Sequence, residues 1–126
     1  MDGNLRRSLL AVPASSEKMI EKSKGLACDQ ILFDLEDAVS PSEKVSARAK
    51  LIALFSGKPT FRARYISIRV NATNTPYFKD DLAAINEIPS GALFSIVLPK
   101  VDDVNELDLL GSSYLIDAQI ESAAGL

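Results

Sequence analysis

Short apolar runs alternate along the chain with segments whose apolar positions recur every three or four residues. Ser8-Leu9-Leu10-Ala11-Val12 predicts a strand stopped by Pro13. Ser15 or Ser16 then caps a helix reaching about Gly25, with Met19, Ile20 and Ser23 on its inner side. Gln30-Ile31-Leu32-Phe33-Asp34-Leu35 is apolar almost throughout, as a strand covered on both faces should be. The next helix is sharply punctuated. Ser40 is its cap, Pro41 takes the first helical position, and Glu43 completes a Ser-x-x-Glu capping box. Val45, Ala49 and Ile52 follow at helical spacing, and Gly57-Lys58-Pro59 ends the helix. Tyr65 to Val70 predicts a third strand, and the polar stretch Asn71 to Pro76 leads into a helix carrying Phe78, Leu82 and Ile85. Leu93 to Leu98 reads as a fourth strand stopped by Pro99. A short helix, about Val101 to Leu110, then precedes a fifth apolar run from Tyr114 to Ile120.

Strand and helix alternate without a hairpin, which implies right-handed crossovers and a parallel sheet in an α/β fold. Two architectures satisfy that pattern: an open doubly wound sheet, or a segment of a (β/α)8 barrel. The chain has 126 residues, read as a single domain over 1–126. A whole barrel takes about 250 residues, so on the second reading this is part of one.

Composition removes more chemistry than it adds. There is no His, so a Ser-His or Cys-His nucleophile, an imidazole base and His-bound zinc are excluded. One Cys excludes an internal disulfide and any Cys cluster, and fits a reducing compartment. The formal charge of −3 argues against a nucleic-acid-binding surface. No stretch approaches the roughly 18 apolar residues of a membrane span, and Leu9 to Val12 is too short for a signal-peptide core, so a cytoplasmic protein is expected.

In parallel α/β folds, ligands bind at the carboxyl ends of the strands. Pro13, Ala14, Ser15 and Ser16 follow the first strand, and Glu36 and Asp37 the second. Arg69 and Asn71 end the third, Pro99 and Lys100 the fourth, and Glu121 and Ser122 the fifth. Carboxylates without His suit a hard, oxygen-preferring cation such as Mg2+ or Mn2+. An Arg beside such a cation suits a carboxylate or other oxyanion through paired hydrogen bonds. The combination points to Lewis-acid chemistry on an oxo- or hydroxy-acid, without identifying the reaction.

Five blocks carry a resemblance: Arg7-Ser8-Leu9-Leu10-Ala11-Val12-Pro13, Asp34-Leu35-Glu36-Asp37-Ala38-Val39, Ile68-Arg69-Val70-Asn71, Leu98-Pro99-Lys100-Val101 and Ile120-Glu121-Ser122-Ala123-Ala124-Gly125-Leu126. In this order, and with Lys44 and Ala47-Arg48 downstream of the second block, they resemble the citrate lyase beta-subunit group of the HpcH/HpaI aldolase/citrate lyase superfamily. The resemblance implies a partial TIM (β/α)8 barrel, about five βα units from the N-terminus. It also implies Mg2+-dependent carbon–carbon cleavage of a hydroxy-acyl thioester. Citryl-CoA or citryl-carrier protein would give oxaloacetate and an acetyl thioester, and malyl-CoA-type relatives release glyoxylate. By the same resemblance Glu121 is a direct metal ligand, Arg69 holds the oxo-acid and polarises its carbonyl, and Glu36 and Asp37 bond metal-bound waters. The group works as oligomers, so a homo-oligomer is expected.

The other residues carry paired readings. Asn71 is either a turn former or a ligand contact, and Lys100 contacts substrate, or a phosphate, or neither. Arg6 and Arg7 meet CoA phosphates or form a solvated pair. Asp34, inside an apolar strand, is read as a barrel-interior hydrogen-bonding group, and Cys28 as a small core residue. The group's second metal-binding Asp would fall some 25 residues past Glu121, and three strands are missing. The chain alone is therefore expected to be an inactive N-terminal portion. Two other readings stand beside the thioester lyase: a class II pyruvate aldolase acting on free hydroxy-oxo-acids, and a non-catalytic α/β domain that self-associates through its uncovered edges.

Overall fold

A computed structural model describes residues 8–101 and the strand at 115–118. Its elements are β1 (Leu9–Pro13), α1 (Glu17–Ser23), β2 (Gln30–Asp34), a 3-10 turn at Pro41–Glu43, α2 (Lys44–Ser56), β3 (Tyr65–Arg69), α3 (Phe78–Asn86), β4 (Ser95–Leu98) and β5 (Leu115–Ala118). The expected helix at about 101–110 lies outside the described residues, as do Arg6, Arg7 and Glu121.

The five strands form one sheet in the order β1-β2-β3-β4-β5, and every neighbouring pair is parallel. This order chooses between the two architectures. A doubly wound sheet reverses its strand order at a switch point and carries helices on both faces. A monotonic order with right-handed crossovers places every helix on one face, which is the winding of a (β/α)8 barrel.

Register assigns the two faces. Leu32 pairs with Ser67, Asp34 with Arg69, and Arg69 with Val97, so these side chains share the inner face. The alternate positions Val12, Ile31, Phe33, Ile68, Ile96 and Leu98 point the other way. They form one buried cluster with Ile20 of α1, Leu51 and Phe55 of α2, and Phe78 and Ile85 of α3. Phe55 anchors it, edge-on to Phe33 at 6.3 Å between ring centres and tilted on Phe94 at 5.4 Å. Leu32 and Val97 are buried but stand outside that cluster, on the inner face.

Ser16 caps α1 as expected, its hydroxyl accepting the Met19 N–H at 3.2 Å. Met19 itself is exposed, and Ile20 and Ser23 make the inner side. The capping box at Ser40 is not built. Its hydroxyl donates to the Glu43 carboxylate at 3.0 Å, and the Pro41–Glu43 segment tightens into a 3-10 turn. The inner face of α2 also differs from expectation. Val45 is 75% exposed, and the buried residues are Lys44, Ala47, Arg48, Leu51 and Phe55. Two cations sit on the core side because each finds acceptors there, which an apolar pattern cannot register.

Candidate active site at the carboxyl rim

The carboxyl ends of β2, β3 and β4 bring Asp34, Glu36, Asp37, Arg69 and Lys100 together. The register pairs Asp34, the last residue of β2, with Arg69, the last of β3. Side chains paired across parallel strands project from the same face, so the two must meet. A one-residue slip of either strand would turn its member of the pair into the helix layer and separate the two. Arg69 donates from Nε to Asp34 Oδ1 at 3.0 Å and from Nη2 to Oδ2 at 2.7 Å, a two-point clamp. Asp34, which is fully buried, also accepts the backbone N–H of Glu36 at 2.8 Å and of Ala38 at 3.1 Å. Burial by itself would push the Asp34 carboxyl up. The Arg69 bond and the two backbone N–H groups outweigh it and hold the group below the ordinary carboxylate value. The same bond to Asp34 raises the Arg69 guanidinium further above its already high value.

Glu36, also buried, lies between two cations. Its Oε1 is 3.5 Å from Arg69 Nε, and its Oε2 is 2.9 Å from Lys100 Nζ. Asp37 is exposed, with Oδ1 3.7 Å from the same ammonium. Lys100 reaches over the rim from a left-handed backbone conformation, φ 54°, which non-glycine residues adopt at a cost of about 1–2 kcal/mol. Among the described residues Arg69 Nη1 makes no hydrogen bond, so one edge of the guanidinium is held and the other is uncommitted. Beside these groups lies a cleft of about 310 Å³, lined by Glu36, Asp37, Lys44, Asn71, Tyr77 and Lys100.

A second, buried network supports the rim. Lys44 Nζ donates to the carbonyls of Leu35 and Glu36 at 2.8 and 3.0 Å and to Asn71 Oδ1 at 3.0 Å, and sits 5.0 Å from the Tyr77 ring centre. Burial lowers its ammonium from the usual lysine value, against the opposing fields of Asp81 and Asp34. Asn71 Nδ2 donates to the Leu35 carbonyl at 3.0 Å and to Asp81 Oδ2 at 2.6 Å. Both of its side-chain N–H groups are therefore used within the protein. A buried amide must satisfy its donors where it lies, and Asn71 does so while also lining the cleft. Asp81, fully buried, also accepts the Asn71 backbone N–H at 2.8 Å and Arg48 Nε at 2.7 Å.

Asp81 was invisible to the apolar pattern, although Phe78, Asp81, Ala84 and Ile85 together form the buried face of α3. The signal was a carboxylate at an inward helical position, matched by Lys44 and Arg48 four residues apart on α2.

The rim's donors are carboxylate oxygens with no imidazole or thiolate, a set whose chemistry suits Mg2+. Among the described residues no three such side chains gather into a metal site, and Glu36 and Asp37 face Lys100. Glu121, the expected direct ligand, lies outside those residues. No described helix is long and apolar enough to cross a membrane.

The chain is 37% identical over 123 residues to a (3S)-malyl-CoA thioesterase of Cereibacter sphaeroides, and 34% over 133 residues to the L-malyl-CoA/beta-methylmalyl-CoA lyase of that organism. Each match takes in 95% of this chain and 42% of the relative, so the chain spans less than half of their length. Among solved structures, the citrate lyase beta subunit of M. tuberculosis complexed with oxaloacetate and magnesium superposes with a TM-score of 0.78 at 25% identity, over 98% of this chain and 51% of that one. CitE of Mycobacterium tuberculosis in complex with magnesium, acetoacetate and coenzyme A gives 0.76 at 28% identity, over 96% of this chain and 43% of that one. The family model for HpcH/HpaI aldolase/citrate lyase matches residues 7–115, and the chain belongs to that family.

Proposed function

We propose that the chain forms the first five strands of a cytoplasmic, homo-oligomeric carbon–carbon lyase that cleaves a hydroxy-acyl CoA or carrier-protein thioester into an oxo-acid and an acetyl thioester. The observation that carries this is Arg69, clamped along one edge by Asp34 and making no Nη1 hydrogen bond among the described residues, beside Glu36 and Lys100 at the carboxyl rim. Oxo-acid and magnesium in one structural neighbour, and coenzyme A in another, support the reading.

Glu121 would hold Mg2+ and Glu36 and Asp37 would orient it through water, and the ion would supply Lewis-acid stabilisation of oxygen charge when bound. Arg69 binds the oxo-acid end. The substrate hydroxyl gives its proton to water, the carbon–carbon pair passes to the thioester half as an enolate, and the enolate takes one proton back from water at carbon, so the proton count is unchanged. The leaving half becomes the oxo-acid. Arg69 stabilises oxygen charge on that half without moving, because Asp34 already fixes its plane. Lys100, poised at the cleft mouth, meets the substrate carboxylate or a CoA phosphate. Asn71 holds the loop through Leu35 and Lys44 while lining the same cleft.

The test joins residues 1–126 to the C-terminal part of the C. sphaeroides lyase and assays malyl-CoA, citryl-CoA and their free acids with Mg2+. Glyoxylate or oxaloacetate released from thioester, and lost by about 10²-fold in Arg69→Lys, is the expected result. Cleavage of free hydroxy-oxo-acids alone would assign the pyruvate aldolase instead. A soluble, folded fusion inactive on every substrate would end the lyase reading.

A further inference from the structure

Asp34 does not itself line the cleft, yet it makes four hydrogen bonds that tie Arg69 of β3 to the turn after β2. Two fix the plane of the Arg69 guanidinium, and two fix the turn that carries Glu36 and Asp37. A carboxylate used only to neutralise a buried cation needs neither the two-point geometry nor the backbone bonds. Here both oxygens are shared. Oδ1 takes Arg69 Nε and the Glu36 N–H, and Oδ2 takes Arg69 Nη2 and the Ala38 N–H. The guanidinium and the turn therefore cannot shift independently. The Glu36 carboxylate, 3.5 Å from Arg69 Nε, is held near the cation by the same junction.

We propose that Asp34 is the positioning residue of this site. It sets the uncommitted edge of Arg69 and the Glu36–Asp37 turn in one fixed relation, so that an oxo-acid carboxylate meets a preformed donor pair rather than a mobile side chain. The proposal rests on the lyase reading for its effect on turnover, but not for the hold on Arg69. A flexible guanidinium would need ordering at each turnover, and misplacement by about 1 Å costs on the order of 10²-fold in rate. Asp34→Asn is the fitting perturbation. It keeps the shape and one acceptor, but whichever way the amide turns, its NH2 group faces one guanidinium N–H and one backbone N–H, that of Glu36 or of Ala38.

Two measurements decide it. In the 126-residue chain, nitrogen-15 NMR follows hydrogen exchange of the Arg69 Nε–H. Asp34→Asn should accelerate it by at least about tenfold, and unchanged exchange in a folded variant overturns the proposal. In the fusion, Asp34→Asn should lower kcat by about 10²-fold with KM for the thioester within about threefold. On an Arg69→Met background the same change should add no more than about tenfold, because only the hold on the Glu36–Asp37 turn is left to lose. Full multiplicative loss on that background, or wild-type kcat in Asp34→Asn, also overturns it. A fusion inactive before any substitution refutes the lyase reading alone, and the exchange measurement still decides the hold on Arg69.

Discussion

Asp81→Ala tests whether the buried network under the rim carries stability. The carboxylate is wholly buried and accepts from Arg48 Nε, the Asn71 backbone N–H and Asn71 Nδ2. Its cationic partner is itself only 10% exposed. Removing one member of such a pair strands a buried charge, at a cost of about 3–5 kcal/mol. The orphaned Asn71 N–H groups point the same way, since an unsatisfied buried donor costs about 1–3 kcal/mol, and the two losses overlap because they share one site. A total near 4 kcal/mol is comparable to the whole stability of a small domain, about 5–15 kcal/mol. Urea unfolding followed by circular dichroism at pH 7 reads it directly. With an m-value of about 2 kcal/mol/M, the midpoint should fall by about 2 M. A fall under about 0.5 M would refute the reasoning. The paired replacement Arg48→Met with Asp81→Leu should recover more than half of the loss, because no charge is left unpaired.

Other consequences are equally direct. Lys44→Met removes the donor shared by Leu35, Glu36 and Asn71 and should cost about 2–4 kcal/mol in the same unfolding assay, with a cleft loop that exchanges faster. The depressed Asp34 carboxyl contributes stability that is fully present above its unfolded value of 3.8 and is lost as pH falls through the lower folded value. The stability gap between the wild-type chain and Asp34→Asn should therefore narrow as pH drops from about 5 to about 2, and a constant gap would contradict the assignment. Val45→Glu on the outer face of α2 should stay within about 0.5 kcal/mol of wild type, whereas Leu51→Ala should cost about 2–5 kcal/mol; equal melting shifts would place the helix face wrongly.

The strands were legible because each is a short apolar run bounded by Pro, Gly or charge, and the rim because charge collects where those runs end. Glu36, Asp37, Arg69 and Lys100 were visible as residues at strand ends, and Asp34 as a hydrogen-bonding group inside an apolar strand. The polar half of the core was not. Lys44, Arg48 and Asp81 look solvent-facing by type, and Val45 and Ala49 look core-facing, so the apparent apolar stripe of α2 is rotated from the real one.

Sequence by itself determined the alternation of strand and helix, the parallel sheet that follows from it, and the lack of imidazole and of any cysteine cluster in these 126 residues. Those depend on local pattern and composition. Tertiary structure decided the strand order, hence barrel winding over a doubly wound sheet, because order is a property of which edges pair. It also decided that Arg69 leans on Asp34. That contact exists because parallel register brings the last residues of β2 and β3 level on one face, and neither residue's neighbours in the chain carry that information.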